Sequence, residues 1–181
     1  MTPMIRHPPE LLLLAQDVRV AFFDVDGVMT DGGVYFSSEG ETLKQFNSLD
    51  GYGLKLLQAA GIVPVVITGR DSKPLRLRLA ELGISHAHFA VKDKLAAAQT
   101  TLRSLDLQWN QAAAMGDDWP DLALMRQCAI AGAPKTAHVE VVATAHFVTT
   151  KPGGEGAVRE FCDLLLVASG KYAGLLRDAD S

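Results

Sequence analysis

Short apolar runs alternate with amphipathic stretches along most of the chain, and this alternation predicts the elements of the fold. The runs at 20–23, 62–67 and 112–115 are almost continuously apolar, which is typical of parallel strands buried on both faces. The predicted strands of the main sheet cover residues 20–23, 62–67, 84–91, 112–115, 129–131 and 146–148.

Helices are predicted between these strands. The clearest covers 155–169, where apolar side chains recur at positions i, i+3, i+4, i+7 and i+8 from Val158 onward. Further helices are predicted at about 54–60, 71–82, 92–105, 122–128 and 137–145, with a short one after Pro8 and Pro9. Strands that alternate with helices predict an α/β fold, a three-layer Rossmann-like parallel sheet with helices on both faces.

Two segments interrupt the alternation. Two β-prone runs, 34–37 and 42–46, flank a loop that contains Gly40, which predicts a β-hairpin flap at about 33–46, directly after the first strand. The polar, glycine-rich segment 47–53 is predicted to be a connector.

Pro64 lacks an N–H donor, so the start of its strand is expected at a sheet edge or a bulge.

Composition and charge narrow the class of protein. A length of 181 residues predicts one domain, 1–181, with a C-terminal tail at about 170–181. The net charge of −4 gives no basic surface for nucleic acid, and the leucine run 11–14 is too short to span a membrane. Cys128 and Cys162 lack metal or redox spacing, so a cytoplasmic location is expected.

Three of the apolar strands end in groups that carry chemistry. Asp24 and Asp26 follow the first strand, Thr68 follows the second, and Asp117 with Asp118 follows the 112–115 run. The carboxyl ends of parallel strands share one edge of the sheet, so these groups are expected to converge. A single Asp-x-Asp fits a polar strand end equally well, but three such endings favour a site.

The converging groups predict a magnesium site. Asp24, Asp117 and a backbone carbonyl near Asp26 offer hard oxygen ligands, which Mg²⁺ prefers. The same motifs contain no histidine or cysteine, which argues against zinc. His86 and His88 could share a strand face, but such a pair more often has no metal role.

A phosphate needs positive charge beside these carboxylates. Lys94 in the first turn of a predicted helix can supply it, with Lys92 as the alternative, while the Thr68 hydroxyl and the Gly69 amide can bind phosphate oxygens.

The positions of the carboxylates suggest a different catalytic role for each. Asp24, which ends the strand, is predicted to attack phosphorus as the nucleophile, and Asp26 is predicted to be the general acid and base. Asp118 and Asp121 are expected to orient the metal ligands.

The order DVDGVMTDG, Thr68-Gly69-Arg70, Lys94 and GDDWPD resembles the four motifs of the haloacid dehalogenase superfamily. Asp26 resembles the acid/base aspartate of its phosphatase branch. Together with the Phe46–Gly53 motif, ITGRDS and GGEGAVREFCDLLL, the chain is similar to 3-deoxy-D-manno-octulosonate 8-phosphate phosphatases. The resemblance implies a Mg²⁺-dependent homotetramer that releases phosphate from a sugar-acid phosphate during lipopolysaccharide biosynthesis.

The same resemblance implies a set of substrate contacts. They would be Asp26, Asn47, Ser48, Leu49, Asp50, Gly51, Lys55, Gly69, Arg70, Arg78 and Lys94. Leu49 departs from the family, where this position is often basic, and Lys55 stands in for an arginine.

The spacing of the motifs leaves no room for a separate cap domain, so a partner subunit is expected to close the site. The hairpin is the expected contact, and the tail after Gly170 is expected either to reach a neighbouring site or to lack structure. Two alternative functions remain at this point: hydrolysis of a nine-carbon sialic-acid-type phosphate, and a non-catalytic subunit that retains the fold.

Overall fold

A computed structural model describes residues 4–179 of the chain. The strands are β1 Val20–Phe23, β2 Tyr35–Ser37, β3 Gly40–Leu43, β4 Val63–Ile67, β5 His86–His88, β6 Ala112–Met115, β7 Ile130–Ala133 and β8 Phe147–Val148. The α-helices are α1 Pro9–Ala15, α2 Ser48–Ala59, α3 Lys73–Leu82, α4 Lys94–Leu105, α5 Trp119–Met125, α6 Val139–Thr144, α7 Ala157–Ala168 and α8 Tyr172–Asp178. A 3₁₀ turn at Trp109–Gln111 precedes β6.

The main sheet has six parallel strands in the order β5-β4-β1-β6-β7-β8. β1 lies between β4 and β6, with Phe23 aligned to Val66 on one side and to Met115 on the other. The three central strands therefore end side by side. The predicted α/β fold with a parallel Rossmann-like sheet is confirmed.

Helices cover both faces of this sheet because β1 is apolar on both. Ala21 and Phe23 face a core built with α1, α2 and α7, whereas Val20 and Phe22 face a second core built with α4 and α5. Burial on two faces explains why the run reads as continuously apolar rather than alternating. Both cysteines are free and buried in these cores.

The predicted hairpin is present as β2 and β3, which pair antiparallel outside the main sheet. Its second strand ends at Leu43, and the chain reaches α2 through residues 44–47. The hairpin leaves apolar side chains exposed, among them Phe36 and Leu43.

The prediction that 47–53 is a connector was wrong, because α2 begins at Ser48. Asn47 caps this helix through its side chain, which accepts a hydrogen bond from the Leu49 amide at 2.8 Å. Its two glycines allow close packing: a Cβ at Gly51 would lie 2.2 Å from Arg78 Nη2, and one at Gly53 would lie 3.1 Å from Arg159 Cδ. Tertiary packing outweighs the low helix propensity of glycine here.

Two other elements have boundaries that differ from the predicted ones. α5 begins at Trp119 rather than at residue 122, because Asp118 and Asp121 form a capping box around its first turn. The strand predicted at 84–91 is limited to His86–His88.

β4 is an internal strand, but Pro64 lies near its start, where β4 has no partner on the β5 side, so the start of the strand is at a local sheet edge as expected. Val63 donates to Arg19 on the β1 side, and N–H groups alternate sides along a strand, so Pro64 faces β5. Pairing between β4 and β5 begins only at Val65, so no ladder bond is lost.

The described part of the tail forms α8, which was not expected. Tyr172, Leu175 and Leu176 line a small apolar cavity with Tyr52 of α2 and Leu166 of α7, so the helix packs on its own chain. Residues 180 and 181 of the predicted tail lie outside the described part. No helix among residues 4–179 has the length and apolar character needed to cross a lipid bilayer.

Candidate active site

A cavity of about 420 Å³ opens at the carboxyl ends of β1, β4 and β6. Its lining includes the strand-end residues singled out above: Asp24, Asp26, Thr68, Gly69, Arg70, Lys92, Lys94, Asp117, Asp118 and Asp121. The predicted convergence of groups from separate strands is therefore what the structure shows.

Asp24 is held firmly at the end of β1. Its backbone amide donates to the Met115 carbonyl at 3.1 Å, which continues the sheet pairing beyond the strand. Its carboxylate is 2.8 Å from the ammonium of Lys94, whose side chain is only 6% exposed. Lys94 lies in the first turn of α4, which Asp93 caps through the Ala96 amide. The lysine is thus fixed by a helix terminus rather than extended into solvent.

Asp117 approaches the loop after β1 so closely that only glycine fits there. A Cβ on Gly27 would lie 2.0 Å from Asp117 Oδ2, and Gly27 has φ = +89°. The carbonyl of Asp117 accepts a hydrogen bond from the His138 amide at 2.8 Å. His138 Nδ1 in turn accepts from the Trp119 indole at 3.1 Å. The Asp117 segment is therefore anchored from both sides.

Asp121 joins the acidic cluster from the first turn of α5. One of its oxygens is 2.7 Å from Lys94 Nζ, and the other accepts hydrogen bonds from the amides of Asp117 and Asp118 at 3.2 and 3.4 Å. It thus fixes the backbone of the segment that carries Asp117, and its predicted role toward a metal stays a prediction. Asp118 uses its side chain to accept from the Trp119 amide, so it caps α5. Its expected role toward a metal stays a prediction.

Negative charge exceeds positive charge in this cluster. Burial first, and then the neighbouring carboxylates, raise the pKa of Asp24 to about 6 and that of Asp117 to about 8, although Lys94 opposes both shifts. Burial opposes the charge of Lys94, but Asp24 and Asp121 outweigh it and raise the pKa of the ammonium. One lysine does not neutralise three carboxylates, so the cluster favours binding a cation.

The donor set fits Mg²⁺. Oxygens of Asp24, Asp117 and Asp121 lie within 4.8 Å of one another, and no histidine or cysteine belongs to the group. Carboxylate oxygens without nitrogen or sulfur ligands suit a hard divalent cation. His86 and His88 lie on β5 outside this group. The His88 Nε2 atom forms a hydrogen bond with the Thr101 hydroxyl at 2.7 Å.

The Asp26 side chain points away from this cluster. Its Oδ1 contacts the ammonium of Lys44, and its Oδ2 is 3.6 Å from Arg70 Nε. The Asp26 carboxylate therefore contacts Lys44 and Arg70 rather than the acidic cluster. The metal contact through the Asp26 backbone carbonyl stays a prediction. The Asp26 carboxyl lines the cavity and remains partly exposed there.

The loops after β4 and β5 complete the wall of the cavity. Thr68 is buried, and its hydroxyl accepts a hydrogen bond from the Arg70 amide at 3.1 Å. Its backbone pairs with His88 and Val91, so β4 and the following loop are held together. Lys92 also lines the cavity, but Lys94 makes the ion pairs with the acidic cluster.

The remaining predicted substrate contacts do not line this cavity. Ser48, Gly51, Lys55 and Arg78 instead line a separate cavity of about 210 Å³ between α2 and α3. Leu49 is exposed, and Asn47 caps α2. Their predicted contacts with substrate stay predictions.

Asp50 forms hydrogen bonds that connect two helices of the fold. Its buried carboxylate accepts from the amides of Arg159 at 2.8 Å and Gly156 at 3.2 Å, at the start of α7. This links α2 to α7. Its predicted role as a substrate contact stays a prediction.

Sequence reasoning missed Lys44 and Glu41. Their charged atoms lie 2.7 Å apart, and their side chains are only 1% exposed for Lys44 and 9% exposed for Glu41. A lysine and a glutamate in a hairpin are usually solvated, so the pattern gave no sign of their burial. His138 was also missed, because its contact with Asp117 joins residues far apart in sequence.

Two curated relatives of this chain have the same name. The chain is 42% identical over 165 residues to the 3-deoxy-D-manno-octulosonate 8-phosphate phosphatase KdsC of Yersinia pestis, covering 91% of this chain and 88% of that protein. It is 40% identical to KdsC of Escherichia coli strain K12, covering 90% and 86%. No family model matches the chain.

Solved structures agree in fold. The Yersinia pestis enzyme superposes with a TM-score of 0.89 at 42% identity, covering 91% of this chain and 89% of that one. The Moraxella catarrhalis enzyme, solved with magnesium, phosphate and KDO, gives a TM-score of 0.91 at 35% identity, with 95% and 99% covered. A haloacid dehalogenase superfamily hydrolase from Legionella pneumophila gives a TM-score of 0.88 at 39% identity, with 93% and 95% covered.

The close approach at Gly27 gives a direct test of the acidic cluster. Gly27→Ala should weaken Mg²⁺ or Mn²⁺ binding by at least about tenfold, because the new methyl group displaces a carboxylate of the cluster. Isothermal titration calorimetry measures this. Gly40→Ala is the matched control, since Gly40 also has positive φ but a Cβ there meets no atom within 4 Å. Equal metal affinity in the two variants would contradict the assignment.

The raised pKa values of Asp24 and Asp117 predict how stability depends on pH. Between pH 4 and pH 8 the folded protein binds protons that the unfolded chain has released, so the metal-free protein should lose stability as pH rises. The loss should be on the order of a few kcal/mol and should shrink in Asp117→Asn. Urea unfolding in EDTA at several pH values measures the slope, and added Mg²⁺ should reduce it. A slope that is the same in wild type and Asp117→Asn would refute the explanation.

Proposed function

This chain belongs to the family of 3-deoxy-D-manno-octulosonate 8-phosphate phosphatases, within the haloacid dehalogenase superfamily, and from that premise we propose its reaction. It is a Mg²⁺-dependent phosphatase that hydrolyses 3-deoxy-D-manno-octulosonate 8-phosphate to the free sugar acid and phosphate. It acts in the cytoplasm, in lipopolysaccharide biosynthesis. The observation that carries the proposal is Asp24, a carboxylate that is only 11% exposed and faces a cavity with Lys94, Asp117 and Asp121 around it.

Binding follows from the lining of the cavity. The substrate phosphate is placed against Asp24, where Lys94, the Thr68 hydroxyl and the Gly69 amide offer hydrogen-bond donors. Arg70 at the mouth of the cavity can pair with the carboxylate or phosphate of the substrate. Asp24, Asp117 and the Asp26 backbone carbonyl would hold Mg²⁺, with Asp121 orienting the Asp117 segment beside them, and the ion when bound would offset negative charge on the carboxylates and the phosphoryl oxygens.

In the first half of the reaction, an Asp24 oxygen forms a bond to phosphorus while the bond from phosphorus to the sugar oxygen breaks. Asp26 gives its proton to that sugar oxygen, so the sugar acid leaves as a neutral alcohol at this position. Lys94 stays beside Asp24 and limits the repulsion between the attacking carboxylate and the phosphate.

In the second half, the Asp26 carboxylate takes a proton from water as the water oxygen bonds to phosphorus. The bond between Asp24 and phosphorus breaks, which releases inorganic phosphate and restores both carboxyl groups. The absence of a cap domain in the described chain leaves the cavity open to this water.

The relatives favour the eight-carbon substrate over the nine-carbon alternative, since they are named for the former. A non-catalytic subunit is disfavoured, because every residue predicted to act in catalysis or metal binding lines this cavity: Asp24, Asp26, Thr68, Lys94 and Asp117.

Hydrolysis assays test the reaction. Phosphate release should be faster from the eight-carbon than from the nine-carbon sugar-acid phosphate, should stop in EDTA and should return with Mg²⁺. Asp24→Asn should remove turnover with the fold retained, and Asp26→Asn should slow it by about 10²–10⁴-fold. Circular dichroism checks folding. Unchanged activity in Asp24→Asn would contradict the mechanism, and no release from either substrate would revive the non-catalytic reading.

The oligomer is part of the proposal. The exposed Val34, Tyr35, Phe36 and Leu43 of the hairpin are apolar, and burying them against other copies of the chain would support a homotetramer that closes the open cavity. Substrate contacts at Asn47, Ser48, Leu49, Gly51, Lys55 and Arg78 would then come from a neighbouring copy, because the chain's own cavity excludes them.

Light scattering tests the hairpin contact. Wild type should have the mass of four chains, and Phe36→Asp should lower that mass, because a carboxylate at a buried contact is costly. Leu13→Asp is the matched control, since Leu13 on α1 is 66% exposed, close to the 68% of Phe36. A monomeric wild type, or an unchanged mass in Phe36→Asp, would count against the hairpin as the contact.

A further inference from the structure

Lys44 is a buried lysine that reaches Asp26 from the end of the hairpin. It follows β3, and its side chain is 1% exposed. Its ammonium contacts Asp26 Oδ1 and lies 2.7 Å from Glu41 Oε1. Burying a lysine is costly without such partners, so this position depends on the two carboxylates.

These contacts belong to a group with balanced charge. Asp26 and Glu41 carry two negative charges, while Lys44 and Arg70 carry two positive ones. Arg70 is the looser member, 3.6 Å from Asp26 and 3.9 Å from Glu41, with a side chain that is 47% exposed. Burial opposes the charge of Lys44, but hydrogen bonds to Asp26 and Glu41 outweigh it and raise its pKa. Lys44 is therefore committed to its carboxylates, whereas Arg70 remains available to a substrate.

The two oxygens of Asp26 have different surroundings. Oδ1 is taken by Lys44, which does not line the cavity, while Oδ2 faces Arg70, which does. The ammonium of Lys44 donates to Oδ1, and its positive charge disfavours a proton on that oxygen, whereas Arg70 Nε lies 3.6 Å from Oδ2, beyond hydrogen-bond distance. When Asp26 carries a proton, that proton therefore lies on Oδ2.

We propose that Lys44 is a positioning residue for Asp26, which holds Oδ1 so that Oδ2 carries the proton for the leaving group. The inference rests on the proposed phosphatase function. The Oδ2 proton passes to the sugar oxygen as its bond to phosphorus breaks, and Oδ2 later accepts a proton from the attacking water. Because Lys44 and Glu41 come from the hairpin, the position of the hairpin also sets the orientation of Asp26.

Leaving-group dependence tests this role, because only a poor leaving group needs the proton. Lys44→Met should lower kcat by at least about 10²-fold for the sugar-acid phosphate, an alkyl ester, and by less than about tenfold for p-nitrophenyl phosphate. Lys44→Gln, which retains an N–H donor, should recover part of the loss on the alkyl ester. Glu39→Gln, at the exposed turn of the same hairpin, should leave both rates unchanged.

If Lys44→Met lowered kcat by the same factor for both esters, Lys44 would only support the fold. If Lys44→Met had the wild-type kcat for both esters, Lys44 would have no role. Either result overturns the inference. If Lys44→Met does not fold, the double variant with Glu41→Gln removes one charge of each sign and carries the same expectation. A wild type that hydrolyses neither ester with Mg²⁺ would refute the proposed function. A wild type active on both, with no leaving-group effect in the variants, would refute the Lys44 inference alone.

Discussion

The structure depends on an electrostatic imbalance at the end of β1. Asp24, Asp117 and Asp121 approach one another closely, and Lys94 is the cation that pairs with two of them. Such an arrangement is unfavourable in isolation, because burial and mutual repulsion both disfavour the charged carboxylates. The surrounding fold imposes it, and the resulting excess of negative charge favours a cation at this site.

The fold imposes this arrangement with backbone rather than with long side chains. Asp24 is fixed by the sheet, Lys94 by the start of α4, and Asp121 by the capping box of α5. Gly27 lets the Asp117 carboxylate approach the loop after β1 to a distance that a side chain would forbid. Short, rigid connections of this kind hold side chains in a fixed geometry at little entropic cost.

Much of this followed from the sequence, because buried parallel strands have a distinctive pattern and their carboxyl ends share one edge. The apolar run ending at Asp24 predicted both a parallel strand buried on two faces and a site. What failed depended on tertiary contacts: Gly51 and Gly53 suggested a connector, yet they lie in α2 where larger side chains would clash with Arg78 and Arg159. Lys44 had the pattern of a solvated hairpin residue, and only the folded chain brings it to Asp26. The separation of Lys55 and Arg78 from the acidic cavity likewise depends on how α2 and α3 pack.

The lengths of the outer strands restrict how copies of this protein can associate. The sheet ends in β5, with three residues, and β8, with two, so each border offers few unpaired backbone groups. Long, flat borders act as templates for edge-to-edge aggregation, and short ones suppress it. Growth of the sheet into a continuous, fibre-like ribbon is therefore disfavoured, and any contact between copies would have to use side-chain surfaces instead.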